Sequence, residues 1–63
     1  MAVNQKIKDY LINHGIKQKY IVEKTGLSKG MISDIIRGRR KITAEELGLI
    51  AKALKVDANI FLQ

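Results

Sequence analysis

Residues 28 to 41 hold the side chains of this 63-residue chain best suited to chemistry. Lys29, Ser33 and Arg37 recur at four-residue spacing, which puts them on one stripe of a helix, and the basic run Arg39, Arg40, Lys41 follows directly. A lysine near a helix start can donate to O6 and N7 of guanine. A serine donates or accepts at base edges, and a carboxylate such as Asp34 accepts from the amino group of cytosine. Clustered arginine and lysine suit phosphate oxygens. These residues offer hydrogen bonding to a polyanion with a readable edge.

Bond-making chemistry has no comparable inventory. His14 is the only histidine, cysteine is absent, and no carboxylate cluster has metal-ligand spacing. His14 lies beside Gly15 at a helix end, where a donor or cation has an ordinary role. Glu45 and Glu46 are adjacent and point about 100° apart on a helix, so they complement its dipole and do not form a catalytic pair. Tyr10, Tyr20 and Phe61 are the only aromatics. The tyrosines read as packing residues, and so few rings argue against single-stranded RNA recognition. No enzyme, metal or cofactor is expected.

Twelve Lys and Arg against six Asp and Glu give a net charge of +6 and a pI near 9.9, a balance that favours a polyanionic partner. Its distribution says more. Residues 28 to 41 carry five cations and one anion, whereas residues 42 to 63 carry two cations and three anions. One pole suits phosphate and the other a protein.

The length fits a single domain, residues 1–63, able to bury about 60% of its unfolded surface. Lack of cysteine is compatible with a reducing cytosol. Met1 to Tyr10 alternates polar and apolar residues, unlike a signal peptide, and no apolar run approaches the ~18 residues of a membrane span. The expectation is a soluble cytoplasmic protein with no membrane partner.

Helical punctuation is dense and strand signals are nearly missing. The spacing predicts an all-α bundle of five helices. The first runs from about Asn4 to Asn13, with Ile7 and Leu11 inward and Gly15 closing it. The second runs from about Gln18 to Thr25, burying Ile21 and Val22 before Gly26. Ser28 caps a third that ends at Gly38. Thr43 with Glu46 forms a capping box for a fourth, whose Leu47, Ile50, Ala51 and Leu54 share a face. A short fifth opens at Asp57 and carries Ile60 and Phe61.

The third helix divides cleanly. At about 100° per residue, Lys29, Ser33, Arg37, Gly30 and Asp34 span roughly 140°, and Met31, Ile35, Ile32 and Ile36 occupy the opposite arc. One face is apolar. The other holds short or cationic side chains that leave a groove accessible.

Gln18, Ile21-Val22, Gly26-Leu27-Ser28, Ile32-Ser33, Gly38 and Ala51-Lys52-Ala53-Leu54, with Val56 and Phe61, resemble the phage-repressor and Cro-like helix-turn-helix family from about Ile7 to Leu62. The resemblance implies a five-helix DNA-binding domain whose second and third helices form the helix-turn-helix. It implies that Gln18 contacts a phosphate, helped by the helix dipole, and that Ser28, Lys29, Gly30, Ser33 and Asp34 read bases. Arg39, Arg40 and Lys41 match the phosphate-gripping loop, Arg37 borders it, and Lys17 and Lys19 supply further backbone contacts. Under this assignment Arg40→Ala weakens all sequences alike and lessens the salt slope.

The chain also departs from its relatives. Lys17 stands where a Ser or Thr would cap the second helix, and Val22 replaces a small alanine. Leu11 and Ile36 stand where many relatives pair an Arg with a Glu, so the two are expected to meet in the core. Gly30 costs a first-turn position up to about 1 kcal/mol. Either it lets backbone approach a phosphate or thymine methyl, or the position is merely tolerant. Gly48 poses the same question without a functional reading.

The expected function is that of a sequence-specific regulator on double-stranded DNA, a small bacterial or phage-encoded Cro-like repressor bound to a palindromic operator as a homodimer. Val56, Ile60, Phe61 and Leu62 are the expected dimer surface, shared with the monomer's core. Two alternatives use the same fold. One is an antitoxin or antirepressor acting chiefly on another protein; the other is a controller protein of a restriction-modification cassette.

Overall fold

Each helix in the computed structural model, which describes residues 2–63, starts and stops where local chemistry demands. Helix α1 spans Ala2–Asn13. Its inward stripe is Asn4, Ile7 and Leu11, all buried, and it begins two residues before the expected start, so Asn4 lies within the first turn and not at the boundary. Helix α2 spans Gln18–Thr25. Lys17 precedes it in extended conformation with no side-chain capping bond, as the lack of a short polar side chain there predicts.

The turn into α3 is shaped by side chains as well as by Gly26. The Thr25 hydroxyl donates to the Ile21 carbonyl at 2.7 Å and accepts from the Leu27 amide at 3.2 Å. Helix α3 spans Lys29–Ile36, and the Ser28 hydroxyl accepts from the Met31 amide at 3.1 Å. At its far end Gly38 has φ 74°, while the Gly38 and Arg39 amides donate to the carbonyls of Ile35 and Asp34. That pair of reversed bonds occupies two otherwise orphaned carbonyls and turns the chain sharply out of the helix.

Helix α4 spans Ala44–Leu54 and opens with the expected capping box. The Glu46 amide donates to Thr43 Oγ1, and the Thr43 amide donates to Glu46 Oε1, both at 3.1 Å. Its C-terminus closes like that of α3, with the amides of Lys55 and Val56 donating to the carbonyls of Lys52 and Ala51. Here the left-handed residue is Lys55, φ 60° and ψ 41°, the one non-glycine with positive φ among the described residues.

A fifth α-helix does not form. The four α-helices are followed by a 3-10 turn, Ala58–Phe61. Asp57 caps it through a 2.9 Å bond from the Asn59 amide, and the Ile60 and Leu62 amides reach back only three residues. So short a run favours the tighter turn.

All five elements feed one core: Ile7 and Leu11 from α1, Ile21 from α2, Ile32, Ile35 and Ile36 from α3, Leu47 and Ile50 from α4, and Phe61 from the 3-10 turn. Leu11 and Ile36 are both buried in that cluster, where an Arg and Glu pair would have required desolvation. Val22, expected to be buried, is half-buried with Leu54 at its margin. Tyr10 meets Phe61 edge-on at 5.8 Å and lies 4.1 Å from the His14 ring, which gives both residues a packing role. No helix among the described residues is long and apolar enough to cross a membrane.

Candidate nucleic-acid interface

Burial of Ile32, Ile35 and Ile36 fixes which way α3 faces, and Met31 packs half-buried beside them. The opposite edge is open. Ser28, Lys29, Gly30 and Arg37 are exposed, and Ser33 and Asp34 are half-buried along the same side. A Cβ built on Gly30 would have nothing within 4 Å, so no neighbour in the free protein requires glycine there. The same holds for Gly48.

Two groups of cations flank this edge. At the start of α2, Lys17 and Lys19 are exposed and Gln18 is half-buried, beside backbone amides left unpaired by the missing cap. Beyond α3, Arg39 and Lys41 are exposed. Helices α2 and α3 pack on one another.

A family model described as helix-turn-helix matches residues 7–61. The chain belongs to the Cro-like helix-turn-helix family. This is a family of DNA-binding regulator domains and not of enzymes. Neither a search of curated proteins nor one of solved structures found a match. The helix-turn-helix is α2 and α3, and the protein is a DNA-binding transcriptional regulator by family.

Arg40 of the expected phosphate-gripping loop has a partner within the protein. Its Nη2 donates to Glu46 Oε2 at 2.8 Å, and its Nε is buried without a hydrogen-bond partner. The guanidinium thus pairs with a carboxylate that the capping box already holds by its other oxygen. Asn4 was not anticipated at all. Its Nδ2 donates to the Ile35 carbonyl at 2.7 Å and to the Arg40 carbonyl at 3.2 Å, and the residue is 3% exposed. A polar residue on the Ile7–Leu11 stripe was the available signal, because a buried amide needs partners.

The expected dimer surface also divides. Phe61 is 2% exposed and belongs to the core, so it cannot offer its ring to a second copy. Val56 is half-buried against the same cluster. Ile60 and Leu62 remain exposed, at 39% and 59%.

Charge proves less polarised in space than along the chain. Lys52 and Lys55 of the nearly neutral C-terminal third line a shallow surface with Tyr20 and Lys24, and Lys17 and Lys19 border the adjoining groove. Lys24 Nζ stands 5.7 Å from the centre of the half-exposed Tyr20 ring. Sequence distance separates these lysines, and the packing of α2 on α4 brings them together.

Proposed function

We propose that this protein is a sequence-specific repressor of the small Cro-like kind, cytoplasmic in a bacterial host or phage-encoded, that binds a palindromic operator as a homodimer. The observation that carries the reading is the open polar edge of α3, held outward by three buried isoleucines. Ser28, Lys29, Gly30, Ser33 and Asp34 read base edges in the major groove. Lys17, Gln18, Lys19, Arg37, Arg39 and Lys41 hold the phosphates on either side.

The dimensions of the chain support a dimer. The longest extent of the chain is 26 Å, less than the roughly 34–36 Å between half-sites one helical turn apart. One copy presents one recognition helix, so a second must read the other half-site. Ile60 and Leu62, exposed beside the buried Phe61 anchor, are the proposed contact.

Selection of duplexes from a random pool at a stated salt concentration tests the reading, since salt governs such affinities. A recovered palindrome, with Lys29→Ala relaxing preference at particular bases, is the expected result. Equal affinity for selected and random duplexes would overturn it.

A further inference from the structure

The loop between α3 and α4 carries three consecutive cations; the outer two are exposed, and the middle one is partly covered, its side chain 37% accessible. Arg39 and Lys41 project outward, while Arg40 between them turns back to Glu46. We propose that Arg40 is a positioning residue and not a phosphate contact. With Glu46 and Asn4 it forms a clasp that holds the loop against the end of the recognition helix, so that Arg39 and Lys41 meet the duplex backbone at fixed places. The inference rests on the DNA-binding reading above and deepens it.

Three observations support the clasp. First, Glu46 is not free to swing. Oε1 accepts from the Thr43 amide and Oε2 from Arg40, and the side chain is 11% exposed. Withdrawing Arg40 to a phosphate would leave a nearly buried carboxylate without its cation, and such a group loses a charge-assisted hydrogen bond that water replaces poorly.

Second, the backbone of the same residue is tethered. Asn4 Nδ2 bridges the carbonyls of Ile35, inside α3, and Arg40, inside the loop. One buried amide thereby couples α1, the recognition helix and the cationic loop. The Arg39 amide is fixed in turn on the Asp34 carbonyl at 2.8 Å. The loop is held at 39 by backbone, at 40 by backbone and side chain, and at 43 by the capping box.

Third, the charge arithmetic favours this arrangement. An unpaired Glu46 at the start of α4 would repel the phosphates that Arg39 and Lys41 approach. Pairing it with Arg40 removes that repulsion without using either exposed cation.

The decisive variant is Glu46→Gln, because glutamine can still serve in the capping box but no longer pairs ionically with Arg40. If Arg40 grips phosphate and Glu46 merely competes for it, removing this anion tightens DNA binding and steepens the salt slope. The clasp predicts the opposite sign: affinity for the selected duplex falls about tenfold, the scale of a lost hydrogen bond to a charged group, and falls less for a random duplex. In parallel, Arg39→Ala lessens the slope of log affinity against log salt by about 0.9, whereas Arg40→Ala, which removes no phosphate contact, weakens binding and lessens the slope by clearly less. Fluorescence anisotropy at several salt concentrations reads all of these, and circular dichroism melting of each variant separates loss of fold from loss of position. Tighter binding by Glu46→Gln, or a slope for Arg40→Ala as reduced as that for Arg39→Ala, overturns the clasp while leaving the DNA-binding reading intact. Wild-type protein that treats all duplexes alike would overturn that reading instead.

Discussion

The loop after α3 and the segment after α4 begin alike and end differently. Each leaves its helix through a left-handed residue and two reversed backbone bonds. The first then meets Asn4, Glu46 and Thr43, whose polar groups hold it at successive residues. The second is capped by Asp57 and held by apolar packing of Val56, Ala58 and the buried Phe61 ring, with Ile60 and Leu62 left exposed on either side of Phe61. Directional polar bonds hold the first segment, whereas apolar packing, which is non-directional, holds the second.

Phe61→Ala tests that contrast most severely. Removing a fully buried phenyl ring from so small a core is expected to destabilise the domain by about 3–5 kcal/mol, enough to abolish cooperative thermal unfolding. Loss of self-association with the fold intact would return Phe61 to the dimer surface. Asn4→Leu comes next, at about 1–3 kcal/mol, because the buried bond to the Ile35 carbonyl and the part-buried bond to the Arg40 carbonyl are both lost. Chemical denaturation measures it, and a neutral result would show the loop to be held without Asn4.

Gly30→Ala is expected to act in the other direction, raising stability by up to about 1 kcal/mol. The added methyl meets nothing within 4 Å, and in so small a domain the gain corresponds to a melting shift of about 4–8 °C. Unchanged operator affinity in the same variant would remove any functional reading of that glycine. Ile60→Ala and Leu62→Ala should alter monomer stability by no more than about 0.5 kcal/mol, yet weaken dimerisation in sedimentation runs. If both leave self-association unchanged, the exposed pair is not the contact.

Much of the local architecture was legible in advance because it rests on interactions within a few residues. Ser28 as a cap, the Thr43–Glu46 box, the limits of α2 and the two faces of α3 all follow from neighbours at i+3 and i+4. The end of α4 was harder to read, since Lys55 takes a conformation usually given to glycine. The final helix was misjudged because Asp57 marks a capped start without saying whether an α or a 3-10 turn follows.

For the candidate site, sequence supplied the residue types and the family block, but it could not rank Arg39, Arg40 and Lys41, which look alike along the chain. Their difference comes from Glu46, six residues beyond Arg40, and from Asn4, thirty-six before it. Nor could it divide Phe61 from Leu62.

What the chain determined by itself was the four α-helices, the polar edge of α3 and the concentration of positive charge around it, because periodicity, capping and charge are local properties. Tertiary packing alone decided which of three adjacent cations is paired within the protein and which apolar residues near the C-terminus stay exposed. It also gathered Lys52 and Lys55 beside the lysines of α2. Those outcomes depend on burial and on bonds between distant residues, and both exist only once the core has closed.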